Sequence, residues 1–207
     1  MFLLSPASAG GARLALVLSP RARFELAGRV QAEGAPLGEV FRFASGLYFR
    51  GKLAYAEAFG RAPDGSSAAL VIAPGEGLLA ADTPVRAADL RRLASVPVDA
   101  EDPRFRDPLV RAARALAARL GEAGEVVLLG SVASPKYVEP LLPVFGRRLL
   151  FPTDFVGRGD MSRGGLLLRA VRAGVELPYA PVDGAVVHGP RVARLAPLRR
   201  ERGGRGD

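Results

Sequence analysis

Apolar positions along this chain fall into two kinds of run. Short continuous runs, rich in branched residues, predict strands at Phe2–Ser5, Leu14–Leu18, Ala69–Ala73, Glu125–Gly130 and Arg148–Phe151, with a weaker one at Gly184–Val187. Runs that are apolar throughout suit strands covered on both faces, as in a parallel sheet. Between them the apolar positions recur at helical spacing over Ala22–Ala32, Asp107–Leu120, Pro135–Val144 and Met161–Ala173, with a short helix at Ala88–Ala94. The stretch Leu37–Phe59 is helical in pattern but interrupted around Gly46 and Gly51, and reads as two helices. The punctuation agrees. Ser19-Pro20 precedes the first helix, Asp107-Pro108 offers an N-cap and a first-turn proline, and Gly121 and Gly174 are placed to end helices. Strands alternating with helices predict an α/β fold, a three-layer domain with a mostly parallel central sheet flanked by helices. Residues 1–198 form this domain in our reading, and 199–207 a charged, Gly-rich flexible tail.

Composition narrows the chemistry. The chain has 207 residues and no cysteine, which excludes disulfides, thiolate metal sites and a cysteine nucleophile. Its one histidine, His188, sits in a turn-like Val-His-Gly-Pro context and leaves no material for a multi-histidine metal site or a Ser-His-Asp triad. The expectation is therefore no metal and no cofactor. The opening Met1–Pro6 has no basic segment before it, and no uncharged apolar run approaches ~18 residues, so neither a signal peptide nor a membrane span is expected. That makes the cytoplasm the expected location.

Charge changes the picture most. The net charge of +8 is uneven. Residues 1–100 carry 11 basic and 9 acidic side chains, residues 101–145 carry 6 of each, and residues 146–207 carry 12 and 6. A basic excess concentrated in the last third attracts phosphate backbones. Only Lys52 and Lys136 are lysines, so the arginine excess equally fits a genome-wide arginine and alanine bias.

Four segments carry candidate chemistry. At the exit of the first strand, Ser5 opens a turn of small residues whose backbone N–H groups suit an anion, although the lysine of a phosphate-binding loop is missing. Gly130-Ser131-Val132-Ala133-Ser134-Pro135-Lys136-Tyr137 joins a buried strand to a helix. Ser131, Lys136 and the free N–H groups of that helix can hold an anion, and Tyr137 can stack or hydrogen-bond. In Gly157-Arg158-Gly159-Asp160-Met161-Ser162-Arg163, Arg158 and Arg163 can fork around a phosphate or carboxylate. Asp160 there can cap the next helix, orient an arginine or serve as a catalytic base. In Ser45–Lys52, Arg50 and Lys52 interleave with Tyr48 and Phe49, a mixture suited to base stacking with phosphate contact and equally to a plain core.

Taken in order, these segments resemble the YaaA family of peroxide-stress-resistance proteins. Leu4-Ser5-Pro6-Ala7 matches that family's Leu-Ser-Pro-Ala-Lys turn, with Ser8 where the family has lysine. Gly77-Leu78 corresponds to part of its central segment. Ala133–Tyr137 is similar to its Ala-Ser-x-Glu-Tyr segment, with Lys136 in place of the acid, and Gly157–Arg163 matches its Ala-Arg-Gly-x-Met-Ser-Arg segment. The similarity runs from residue 2 to 172, and the first and last blocks carry its specificity. YaaA is in turn distantly similar to the uracil-DNA-glycosylase-like domain of archaeosine-synthesis enzymes. The resemblance implies an α/β core whose positively charged cleft binds DNA, in the setting of oxidative-stress protection. The loop after the first strand holds only serines and glycines where glycosylases of that wider fold use Asp or Asn, which counts against glycosylase chemistry.

Three functions follow as expectations. The first is DNA binding through a basic cleft, with Ser5, Arg50, Lys52, Ser131, Lys136, Tyr137, Arg158 and Arg163 as contacts. The second is an enzyme acting on a nucleobase, nucleotide or modified nucleoside, with Asp160 as its base. The third is a protein-interaction scaffold presenting the proline-rich Pro140–Pro143 and Leu177–Pro181 segments.

Overall fold

The structure is a computed structural model, and it describes residues 1–7, 11–62, 65–193 and 195. In chain order its elements are β1 (Phe2–Leu4), α1 (Ala12–Leu18), α2 (Glu25–Gln31), β2 (Ala35–Pro36), α3 (Leu37–Ser45), α4 (Leu47–Phe59), β3 (Ala69–Ala73), β4 (Gly77–Ala80), β5 (Pro84–Val85), α5 (Ala87–Ser95), α6 (Pro103–Leu120), β6 (Val126–Leu129), α7 (Pro135–Phe145), β7 (Leu149–Pro152), α8 (Asp160–Ala173) and β8 (Tyr179–Pro181). The main sheet has strand order β4-β3-β1-β6-β7-β8. Its four central strands are parallel, and β4 and β8 close the edges antiparallel. β2 and β5 pair in a small separate ribbon.

Strand residues alternate between two cores, one on each face. Phe2, Leu4, Val71, Val127, Leu129 and Leu150 point to the side packed with α1 to α4 and α8. Leu3, Ile72, Val126, Leu128, Leu149 and Phe151 point to the side covered by α6 and α7. The chain is thus a three-layer α/β domain. Each fully buried Leu, Ile or Phe contributes about 1.5–3 kcal/mol, so burial on both faces explains why these strands read as unbroken apolar runs.

Several elements differ from the sequence pattern. Leu14–Leu18 is not a strand but part of helix α1. Only Leu14 and Val17 of that run are buried while Leu16 is exposed, so its period is helical despite its apolar appearance. Gly184–Val187 is not a strand either, and the edge strand is Tyr179–Pro181, paired with β7. α6 starts a turn earlier than Asp107. Asp102 accepts from the Arg104 N–H at 2.9 Å, Pro103 follows, and Pro108 lies inside the helix. Gly46 does divide two helices, at φ 64°, but Gly51 does not break anything. It lies inside α4 where α8 crosses. A Cβ on Gly51 would sit 2.7 Å from the Gly164 carbonyl oxygen, and one on Gly164 would sit 2.8 Å from Leu47 O and Tyr48 Cα. The two helices therefore touch backbone to backbone. The proposed tail 199–207 and Ser8 lie outside the described residues. Among the described residues no helix is long and apolar enough to cross a membrane, and no cluster of His, Asp or Glu could hold a metal ion.

Candidate functional site

In this sheet the chain leaves β1 toward β3 over one face and leaves β6 toward β7 over the other. Loops diverging in this way leave a crevice beyond the carboxyl ends of the central strands, where α/β proteins hold ligands. A cavity of about 660 Å³ occupies that place. Ser5 just past β1, Pro74 just past β3 and Ser131 just past β6 form its base. α5 and the segment after it close one side with apolar Leu90, Leu93, Val96 and Val98, and the first residues of α7 and α8 bring Lys136 and Asp160 to the other.

Lys52 is the unusual member. Its neighbours Tyr48, Phe49, Leu53, Tyr55 and Ala56 are buried, so α4 has almost no wet face there, and Lys52 is 1% exposed. Nζ donates to the Ser5 carbonyl at 2.6 Å and to Ser5 Oγ at 2.8 Å. The Ser5 hydroxyl in turn donates to Leu129 O at 3.4 Å. The ring centroids of Tyr48 and Phe49 lie 4.4 and 5.0 Å from Nζ. No carboxylate among the described residues forms an ion pair with it. Burying an ammonium costs several kcal/mol, and a desolvated aromatic contact returns only about 2. Burial therefore lowers the pKa of Lys52 from 10.5 to about 7, opposed only by the charge of Asp160. Near neutral pH this amine is free base in a large fraction of molecules.

Tyrosines surround the pair. Burial pushes Tyr137 up to about 12, partly offset by a hydrogen bond with Ser5, so its phenol stays protonated. Tyr48 is raised further by the same cause, partly offset by the neighbouring charge of Arg163. Gly130 is placed by Ser5. A Cβ there would lie 3.1 Å from Ser5 Cβ and 3.4 Å from Oγ.

The residues singled out in the sequence divide into three groups. Ser5, Lys52, Ser131, Lys136, Tyr137 and Asp160 line the one cavity. Of these, Ser5, Lys52 and Tyr137 are buried in its wall rather than presented to a long polymer. Asp160 is the first residue of α8, makes no cap, and pairs with Arg163 Nη1 at 3.6 Å. Ser134 stands at the N-cap of α7 without a side-chain cap and faces the cavity instead. Arg158 and Arg163 do not line the cavity. The Arg158 guanidinium bonds Asp154 O and Ser162 Oγ, at 3.0 and 3.2 Å. Buried Arg163 donates twice to Phe155 O, at 3.3 and 3.2 Å, and covers the Phe155 ring. With these bonds both arginines hold the loop before α8 in shape.

Arg50 belongs elsewhere. It lines a surface groove with Arg13, Arg42, Phe24 and Phe43. The two phenylalanine rings stack at 5.3 Å with an interplanar angle of 24°, and both are more than a third exposed. Glu39 is occupied by Arg29, at 2.6 and 3.0 Å. Arg13, Arg42 and Arg50 form no ion pair among the described residues. Arg13 and Arg50 continue into an adjoining groove with Ser45 and Met161, and Ser45 also lines the central cavity. Sequence reading missed Arg13, Arg42 and the Phe24–Phe43 stack. They come from α1, the residue that precedes α2, and α3, and no local spacing signals their convergence.

Scans against protein-family models, curated proteins and solved structures each return no match for this chain.

Proposed function

We propose that the chain binds single-stranded nucleic acid, DNA in particular, along the Arg13–Arg42–Arg50 groove, with a base stacked on the Phe24–Phe43 pair and one nucleotide unit turned into the cavity. The observation that carries this reading is the groove itself. Three arginines that form no ion pair among the described residues flank an exposed aromatic stack, and the adjoining groove meets the cavity at Ser45. Unpaired cations release counterions from a phosphate backbone, and an exposed ring accepts any base face. Stacking on a ring requires an unpaired base, which favours a single strand over a duplex. The resemblance to the YaaA family adds a setting for this binding, DNA protection under oxidative stress in the cytoplasm.

Fluorescence anisotropy with a labelled single-stranded oligonucleotide tests it. Three phosphate contacts on a single strand give a log–log salt slope near −2, from roughly −0.7 per contact. The Arg13→Gln, Arg42→Gln, Arg50→Gln triple variant loses most of that slope and binds at least about tenfold more weakly at low salt. Absence of binding at low salt, or a triple variant that binds like the parent, refutes the reading.

A further inference from the structure

Lysines are scarce in this chain, and both of them, Lys52 and Lys136, line the same cavity. They differ in kind. Lys136 is exposed in the first turn of α7, where free backbone N–H groups and the helix dipole already favour an anion. Lys52 is enclosed, and the Ser5 carbonyl and Oγ offer it two acceptors. The Ser5 hydroxyl proton is directed to Leu129 O. A neutral amine has two N–H bonds, which those acceptors satisfy, and one lone pair, which they leave unused. A desolvated lysine held in this way has the arrangement that carbonyl chemistry requires.

We propose that Lys52 is a nucleophile that condenses with an aldehyde or ketone bearing a phosphate group, the phosphate being held by Lys136 and the N-terminus of α7. The lone pair of Nζ attacks the carbonyl carbon, and the carbonyl π pair moves to oxygen. One amine proton passes to that oxygen, giving a carbinolamine. Its hydroxyl then leaves with the second amine proton as water, while the nitrogen lone pair closes the C=N bond. No oxidant or reductant is consumed. Tyr137, which remains protonated, hydrogen-bonds with Ser5 and lines the cavity, is the acid we assign to the departing oxygen. Ser5 acts as a positioning residue that aims the amine.

A phosphate-bearing carbonyl can come from a free sugar phosphate or from a ring-opened sugar at an abasic position in a nucleic-acid strand. The experiment therefore has two arms. The intact protein is incubated at neutral pH with glyceraldehyde 3-phosphate, or with a single-stranded oligodeoxynucleotide carrying one abasic site. Sodium borohydride is then added and the adduct located by peptide mapping. Reduction of the imine adds the mass of the aldehyde less one oxygen atom. Only Lys52, Lys136 and the Met1 amine can form such an adduct, so the map is unambiguous.

The expected result is an adduct on Lys52 in at least one arm, and the arm that reacts identifies the source. Unphosphorylated glyceraldehyde labels Lys52 at least about tenfold more slowly than its phosphate. Ser5→Ala keeps the main-chain carbonyl and slows labelling. Lys52→Met forms no adduct at the corresponding peptide, and if that variant does not fold, the parent's map decides alone. Adducts confined to Lys136 and Met1, or no adduct in either arm, overturn the proposal. Equal labelling by glyceraldehyde and its phosphate overturns the phosphate assignment. Trapping by the sugar phosphate in a protein that does not bind oligonucleotides leaves this inference standing and removes the nucleic-acid reading.

Discussion

Replacing Lys52 with methionine changes how the stability of this protein depends on pH, and the size of the change follows from the burial of the amine. The lysine pKa is 10.5 in the unfolded chain and about 7 in the folded one. Between those values the unfolded chain holds a proton that the folded chain has released, so stability rises with pH. The full difference corresponds to about 5 kcal/mol, at about 1.4 kcal/mol per pH unit. Integrated between about pH 7 and 9.5, where the folded amine is already half deprotonated at the start, the gain is about 3 kcal/mol. Lys52→Met removes that rise. It also leaves Ser5 O and Oγ without their donor, at a cost of about 1–3 kcal/mol each. That loss does not vary with pH, so the slope isolates the titration where the difference at any single pH would not. The Met1 amine, lowered from 8.0 mainly by burial, adds a rise of the same sign to both proteins and cancels in the comparison. The buried tyrosines titrate above this window, their pKa values being raised by burial. Urea unfolding at five pH values gives the two curves. Equal slopes in parent and variant, or a parent whose stability falls with pH, refute the claim that Lys52 is a desolvated, largely unpaired amine.

Two glycines give further tests. Gly51→Ala drives a methyl group into the Gly164 carbonyl, 2.7 Å away, where both partners are backbone and neither can swing aside. The expected loss is about 1–3 kcal/mol in urea unfolding, with weaker carbonyl trapping at the neighbouring Lys52. Gly130→Ala meets only side chains, Ser5 at 3.1 and 3.4 Å and Leu128 Cδ1 at 3.3 Å, so it costs under about 1.5 kcal/mol. It nevertheless slows trapping at Lys52 at least severalfold in the borohydride assay, because Ser5 is what aims the amine.

The layered α/β arrangement was legible because its central strands are buried on both faces and read as solid apolar runs, as in Val126–Leu129. The same signal misled at Leu14–Leu18, where a run that short fits either a strand or one helical turn. Gly51 looked like a helix breaker because sequence shows the missing side chain but not the crossing helix that needs the space. The site was half legible. Ser5, Ser131, Lys136 and Asp160 were marked by their places at strand exits and helix starts. Arg158 looked like a ligand because it stands between glycines, and Arg163 because it follows in the same segment, yet the bonds they make go to Asp154, Phe155 and Ser162 nearby. Lys52 was noticed for its charge and assigned to phosphate. Its neighbours at helical spacing, Tyr48, Phe49, Tyr55 and Ala56, form an apolar stripe that passes through it, and that stripe is the sign of a buried lysine.

The cavity walls are of two constructions, and this bears on how its specificity can drift. Around Lys52 the wall is strand ends, and next to Lys52 in α4 the glycine contact with α8 excludes even a methyl group by main chain. Across from it, α5 and the segment after it present only apolar side chains, among them Leu90, Leu93, Val96 and Val98. Substitutions on that side can reshape the volume open to a ligand while leaving the amine, its serine and their spacing untouched. A lineage of such chains would thus diversify in what it accepts through α5 and hold its reactive centre constant, and α5 is where a library for altered selectivity should be built.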